Sequence, residues 1–142
     1  MIYVDSCYLA KLYLPEPDSV LVQAGVQAAG QAVCSVHGQT EVQAVFHRKL
    51  RENLIARPEF ELLMDQFASE ADTAKYLWLP LTSSVLALAQ STIRSLPAGI
   101  FLRAADTLHL ASAAEKGFTE IYTSDRHVLA AAPHFGLSAI TL

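Results

Sequence analysis

Short apolar runs alternate with stretches of helical periodicity along the whole chain. Residues 2–4 form a β-favouring run that ends at Asp5, and apolar residues then recur at helical spacing up to Pro15. The same alternation predicts strands over residues 2–4, 32–36, 76–81, 119–123 and 138–142. It predicts helices over residues 6–14, 19–29, 37–53, 58–74, 83–95, 103–116 and 126–132.

Strands that alternate with helices are typical of an α/β fold, in which a mostly parallel sheet of about five strands is covered by helices on both faces. A chain of 142 residues has room for one such domain and not for a second. No repeat of solenoid length, low-complexity tract or linker rich in Pro, Gly or Ser divides it. We therefore expect a single domain over residues 1–142.

The composition narrows the class of protein. Apolar residues make up 52% of the chain and charged residues only 17%, which excludes a disordered protein. The two cysteines, Cys7 and Cys34, form no CxxC pair, as is typical of a reducing compartment. The longest stretch without Asp, Glu, Lys or Arg contains several glutamines and glycines, and no export signal opens the chain. We expect a soluble, cytoplasmic protein without a membrane segment.

Four acidic residues are candidates for a common site. Asp5 and Asp125 follow the first and fourth predicted strands, and ligands bind at the carboxyl ends of parallel strands. Asp106 lies in the first turn of a predicted helix, and Glu41 lies at the margin of an apolar helix face. Taken singly, the first two are favourable N-caps and the other two are ordinary helix residues. As a set, the four carboxylates are expected to converge on one rim of the sheet.

Such a cluster is electrostatically costly without a cation. Two carboxylates about 4 Å apart repel by about 4 kcal/mol at an effective dielectric constant of about 20. Oxygen ligands suit Mg²⁺ or Mn²⁺, which would relieve the repulsion, activate water and offset charge on a phosphodiester. A bound cation would also allow a protein of net charge −4 to hold a polyanion.

Other chemistry-bearing motifs are absent or weak. The chain has no P-loop, dinucleotide-binding, nucleophile-elbow or zinc-protease motif. His109 follows Asp106 by three residues and is interpreted as a hydrogen-bonded structural histidine. Arg103 and Arg126 flank two of the acids, and they either contact phosphate or, as is commoner, lie on the surface.

Four stretches of the chain carry a family resemblance when they are taken together and in order. They are MIYVDSCYLAKLYLPEPDS, SVHGQTEVQAVFHRKL, LRAADTLHLASAAEKG and IYTSDRHVLAAAPHFGLSAITL. Together they resemble the PIN-domain ribonucleases, most closely the VapC-type toxins of toxin–antitoxin pairs. The similarity covers nearly the whole chain.

The resemblance implies a three-layer α/β/α domain with a parallel sheet and an acidic centre that binds Mg²⁺ or Mn²⁺. The four acidic positions of the family match Asp5, Glu41, Asp106 and Asp125. Two further positions, which look like site-orienting hydroxyls, match Ser6 and Thr123. The chain departs from the family pattern at two other positions, Cys7 and His37.

By similarity, the activity is endonucleolytic cleavage of RNA by metal-activated water. The expected partners are an RNA substrate and a small cognate antitoxin, and members of the family usually form homodimers. The alternative is a catalytically silent PIN-fold module that binds a protein partner, although the presence of all four acids argues against it. A receiver-type phosphoryl-transfer domain is the least consistent, because the first strand leads into no DxD motif and no Lys follows a late strand.

Overall fold

A parallel sheet organises the structure, a computed structural model that describes all residues from Met1 to Leu142. Its strands are β1 (Ile2–Tyr3), β2 (Ala32–Ser35), β3 (Tyr76–Leu79), β4 (Glu120–Tyr122) and β5 (Ser138–Ile140). β2 pairs with both β1 and β3, and β4 pairs with β5, always in parallel. A parallel bridge between Val4 and Tyr122 joins the two groups, so the strand order is 3-2-1-4-5.

All seven predicted helices are present, with ends that differ by a few residues. They are α1 (Ser6–Ala10), α2 (Ser19–Ala29), α3 (Gly38–Arg51), α4 (Arg57–Ala71), α5 (Ser83–Ser95), α6 (Ala104–Glu115) and α7 (Arg126–Ala131), followed by a short 3₁₀ helix (Ala132–Phe135). α1 ends four residues earlier than predicted, and residues 11–13 continue it only as turns up to Leu14, which precedes Pro15. No helix combines the length and the apolar content that a membrane crossing requires.

Each face of the sheet has its own core, because successive strand residues point to opposite faces. Tyr3 and Val33 pack on one face with buried residues of α5, α6 and α7. Val4 and Cys34 pack on the other face with buried residues of α1, α2, α3 and α4. The predicted α/β fold, with a parallel sheet between two layers of helices, is therefore confirmed.

β1 lies where the order of the strands reverses, with β2 on one side and β4 on the other. The backbone N–H of Val4 donates to the Val33 carbonyl at 2.9 Å, and that of Asp5 donates to the Tyr122 carbonyl at 3.2 Å. In open parallel sheets, ligands bind outside the carboxyl ends of the strands at such a switch point. Asp5 therefore leaves the sheet where the topology favours a binding site.

α3 begins unusually close to the sheet, and its first residue is Gly38. A Cβ atom at this position would lie 2.6 Å from Cys34 Sγ and 3.4 Å from His109 Cε1. Both neighbours are buried and have little room to move. The close approach of α3 to β2 therefore depends on glycine at position 38.

We expect Gly38→Ala to lower the free energy of unfolding by about 1–3 kcal/mol, since overpacking forces buried neighbours to shift. Urea denaturation followed by circular dichroism would measure the loss. Gly99→Ala is the matched control, because a Cβ atom there meets nothing within 4 Å. Adding Cys34→Ala to the Gly38→Ala variant should recover part of the loss. A Gly38→Ala variant as stable as Gly99→Ala would contradict the steric explanation.

Candidate functional site

The carboxyl ends of β1 and β4 open into one cleft of about 620 Å³. All four predicted acidic residues line this cleft: Asp5, Glu41, Asp106 and Asp125. Ser6 also lines it. The acids are recessed, since Asp5 is buried and the side chain of Asp106 is only 13% exposed. The structure thus brings the predicted acids together from four separate segments of the chain.

Asp5 and Asp125 both cap the helices that follow their strands. Asp5 Oδ1 accepts a hydrogen bond from the Tyr8 N–H at 3.0 Å, and Asp125 Oδ1 accepts one from the His127 N–H at 2.7 Å. The capping explanation is therefore correct for both residues. It leaves their second oxygens, Oδ2, available for other contacts.

Thr123 connects the same two acids. Its fully buried hydroxyl donates to Asp5 Oδ2 and accepts from the backbone N–H of Asp125 at 2.9 Å. Burial raises the pKa of Asp5, and the hydrogen bonds from Thr123 and Tyr8 counteract that rise. A cation in the cleft would also favour the ionised form of Asp5, as these hydrogen bonds do.

Arg103 bridges Asp106 and Asp125. Its Nε donates to Asp106 Oδ2 at 2.7 Å, and a terminal guanidinium nitrogen donates to Asp125 Oδ2 at 2.5 Å. The side chain of Arg103 is 55% exposed, as its interpretation as a surface residue predicted. That interpretation missed the position of the guanidinium, which supplies positive charge between two of the four carboxylates.

Glu41 is held by a buried hydrogen-bond chain that starts in the sheet. His109 Nε2 lies 2.6 Å from Glu41 Oε2, and His109 Nδ1 lies 3.1 Å from the hydroxyl of Tyr3. The Tyr3 hydroxyl in turn accepts from the backbone N–H of Ser35 at 3.1 Å. His109 is therefore a buried, hydrogen-bonded histidine, as predicted, and it also fixes the position of one of the candidate site acids.

The ionisable groups along this hydrogen-bond chain shift one another's pKa values. Burial by itself would lower the pKa of His109, but Cys34 and the Glu41 carboxylate favour the protonated ring and raise the pKa. Burial by itself would raise the pKa of Glu41, but the hydrogen bond and charge of His109 hold the pKa of Glu41 below the usual range. Burial and the charge of His109 both lower the pKa of His37. At neutral pH we assign an ionised pair, Glu41 and His109, beside a neutral His37.

His37, Glu41 and His109 form the one group of three acidic, histidine or cysteine side chains whose donor atoms all lie within 4.8 Å of one another. No three of the four carboxylates are that close, although they share the cleft. Joint ligation of one ion by the four acids therefore requires their side chains to approach further. The Arg103 guanidinium lies where Asp106 and Asp125 would converge.

Sequence reasoning missed the contribution of both histidines to the surroundings of Glu41. His37 Nε2 lies 3.6 Å from Glu41 Oε2 and donates to the Ala105 carbonyl at 3.2 Å, and His37 Nδ1 lies 2.9 Å from Ser35 Oγ. A signal was present, because His37 precedes Glu41 by four residues, the spacing of neighbours on one helix face. The contact between His109 and Glu41 joins two helices, and no spacing in the sequence indicates it.

The fold and this site can be compared with known proteins. The sequence matches the PIN domain family over residues 2–134, whereas no curated protein matches it significantly. The structure of FitAB bound to the IR36 DNA fragment is similar with a TM-score of 0.72 and 16% identity, over 99% of this chain and 94% of that chain. FitAcB from Neisseria gonorrhoeae is similar with a TM-score of 0.76 and 16% identity, over 99% of this chain and 96% of that chain. The structural likeness agrees with the family match, which spans almost the whole sequence, and the chain belongs to the PIN domain family.

Proposed function

We propose that this chain is a metal-dependent endoribonuclease that acts as the toxin of a toxin–antitoxin pair. The observation that carries the proposal is the set of four carboxylates in one cleft at the switch point of the sheet. Clustered carboxylates in a recess bind divalent cations together with substrate phosphate. The Arg103 guanidinium between two of them is consistent with a site that attracts positive charge.

The donor atoms fit Mg²⁺ or Mn²⁺. Asp5, Glu41, Asp106 and Asp125 offer only carboxylate oxygens, which these hard cations prefer. When bound, such a cation would make water a stronger nucleophile and stabilise negative charge that develops on the phosphodiester. The recessed position of the acids would limit the site to a strand that can bend into the cleft.

The remaining residues of the site would position the acids. Thr123 holds Asp5 against the backbone of Asp125, so two carboxylates from neighbouring strands stay in register. His109 orients Glu41 and keeps it ionised, and Ser6 lowers the pKa of Glu41 further. Ser6, Thr123 and His109 are therefore proposed as positioning residues.

The resemblance to VapC-type toxins supports the remaining parts of the proposal. They are an RNA substrate, a small cognate antitoxin, a homodimer, a cytoplasmic location and a single PIN-like domain over residues 1–142. The likeness to FitAB, which was solved bound to a DNA fragment, supports a complex that works with nucleic acid. Light scattering that finds only monomers at micromolar concentration would contradict the homodimer.

The experiment that tests the activity is RNA cleavage by the purified protein with Mg²⁺, with Mn²⁺ and with EDTA. We expect cleavage that EDTA abolishes and either cation restores. Asp125→Asn, purified in parallel, retains a residue that caps α7 but loses a carboxylate of the site, so it should not cleave. Equal cleavage by this variant would indicate a contaminating nuclease, and cleavage in EDTA would refute metal dependence.

The competing proposal is a silent module that binds a protein partner. It is favoured by the spacing of the acids, since no three carboxylates lie close enough to hold one ion without rearrangement. Titration with Mn²⁺ separates the two proposals, because a nuclease site binds the ion and a silent module does not. Absence of both Mn²⁺ binding and RNA cleavage would support the silent module.

Arg103 and a divalent cation would compete for Asp106 and Asp125. We expect Arg103→Gln to bind Mn²⁺ about tenfold more tightly, since a nearby positive charge is removed from the cation site. The same variant should melt slightly below wild type without metal, because a partly exposed ion pair contributes at most about 1 kcal/mol. Isothermal titration calorimetry would measure the affinity. Unchanged or weaker Mn²⁺ binding would contradict the competition.

A further inference from the structure

One face of α3 extends from the acidic centre to the far end of the cleft. The residues of α3 that line the cleft include Glu41, Ala44, Val45, Arg48 and Arg51. Their spacing of three and four residues places them along one stripe of the helix. At about 1.5 Å per residue, Arg48 and Arg51 lie about 10 and 15 Å from Glu41 along the helix axis.

Arg48 and Arg51 have no carboxylate partner, unlike half of the basic residues. Five of the ten Lys and Arg side chains form ion pairs, and they are Lys11, Lys49, Arg57, Lys75 and Arg103. The contrast is sharpest within α3, where Lys49 pairs with Glu16 at 3.0 Å. The guanidinium groups of the cleft stripe are exposed and remain available for a ligand.

Stabilisation of the helix dipole only partly explains the positions of these two arginines. Cations in the last turn of a helix stabilise its dipole by about 0.3–1 kcal/mol, and Arg48, Lys49 and Arg51 all lie there. The stabilisation by the helix dipole does not depend on the direction in which a side chain points around the helix axis. It therefore does not account for two unpaired arginines on the same wall as the acidic centre.

We propose that Arg48 and Arg51 form a phosphate-binding subsite for single-stranded RNA, remote from the phosphate at the acidic centre. Guanidinium groups bind phosphate through paired N–H donors. Ala44 and Val45, between the two ends of the stripe, have short side chains that leave room for the strand. This inference rests on the proposed nuclease function and adds the means by which a chain of net charge −4 holds a polyanion.

A single strand fits this cleft better than a duplex. The acids are recessed, with Asp5 buried, and the cleft volume of about 620 Å³ is that of a small-molecule site. A phosphate reaches such a recess only on a backbone that can bend, whereas duplex RNA is recognised across its broad, regular surface. The subsite would keep the strand in the cleft while one of its phosphates lies at the acids.

The test measures binding of a fluorescein-labelled, mixed-sequence RNA 12-mer by anisotropy in EDTA, over a series of salt concentrations. EDTA prevents cleavage and removes any contribution from a bound cation. Each phosphate contact contributes about 0.7 to the slope of log affinity against log salt for single strands. We expect Arg48→Ala/Arg51→Ala to lower the slope by about 1.4 and to weaken binding about tenfold or more at low salt.

The matched control is Arg94→Ala/Lys116→Ala. Both residues are exposed and unpaired, neither lines the cleft, and the control changes the net charge from −4 to −6, as the test variant does. It should keep the wild-type slope. Equal slopes for the two double variants, or no RNA binding by wild type at the lowest salt, would overturn the subsite.

Failure of the subsite can be distinguished from failure of the proposed function. The same three proteins are assayed for RNA cleavage with Mn²⁺. A lower slope for the arginine variant, with neither RNA cleavage nor Mn²⁺ binding by any of the three proteins, would support the subsite and refute the nuclease. Cleavage by wild type with equal slopes for both double variants would support the nuclease and overturn the subsite.

Discussion

Asp106→Asn should lower the rate of RNA cleavage by about a thousandfold. The variant keeps the shape of the side chain and removes one negative charge from the acidic centre. Loss of a carboxylate ligand weakens both cation binding and the stabilisation of charge in the transition state, which together are worth several kcal/mol. Single-turnover cleavage of a labelled RNA, with protein in excess, would measure the rate.

Thermal melting of the same variant separates a site residue from a structural one. Without metal, the melting temperature should change little, because the ion pair between Asp106 and the half-exposed Arg103 contributes at most about 1 kcal/mol. Mn²⁺ at a hundred times its Kd should stabilise wild type by about 2.7 kcal/mol, and Asp106→Asn should lose this increment.

The control for Asp106→Asn is Asp72→Asn, which removes an exposed carboxylate after α4, outside the cleft. Asp72→Asn should cleave RNA and respond to Mn²⁺ as wild type does. An Asp106→Asn variant that melts well below wild type and keeps the full Mn²⁺ increment would show that Asp106 is structural and that the metal site is wrongly assigned.

The second large effect concerns stability. His109→Ala should lower the free energy of unfolding by about 3 kcal/mol, since it opens a cavity under α6 and leaves Tyr3 and Glu41 without their partner. His109 is 1% exposed, so little water can replace the lost contacts. Urea denaturation of the variant without metal would measure the loss.

Two further variants make the His109 prediction specific. Tyr3→Phe removes only the hydroxyl and should cost about 1 kcal/mol, so it remains measurable even if His109→Ala does not fold. His134→Ala replaces an exposed histidine and should change stability by less than about 0.5 kcal/mol. A His109→Ala variant as stable as His134→Ala would mean that the buried chain from Tyr3 to Glu41 contributes nothing to the fold.

The positions of the strand-end acids could be predicted from local sequence, because the features that determine them are local. An apolar run followed by Asp, and then by helical periodicity, indicates both the edge of the sheet and an N-cap. Asp5 and Asp125 satisfy this pattern, and each caps a helix at the edge of the cleft. The number of strands and the two-sided covering of the sheet follow from the same alternation, repeated along the chain.

Contacts between distant segments could not be predicted in this way. Arg103 reaches Asp125 across 22 residues, and His109 reaches Glu41 across 68, so both pairs depend on how α6 is placed against the rest of the fold. The need for glycine at position 38 is of the same kind, since the atom that excludes a side chain belongs to Cys34 in the sheet. Periodicity assigns a residue to a face of its helix but does not identify the neighbour it meets there.

The hydrogen bond from Thr123 to Asp5 has a consequence for the newly made protein. It joins residues 118 positions apart. Next to it, the parallel bridge between Val4 and Tyr122 joins the central strand β1 to β4. Translation releases the amino-terminal residues first, so β1 and Asp5 leave the ribosome well before β4, although β2 is by then available to pair with β1. The acidic cleft is therefore complete only after residue 125 has been synthesised, and a nascent chain that stops before β4 lacks both Asp125 and the strand that positions it. On the proposed nuclease function, this order of assembly delays activity until β4 and Asp125 have been translated.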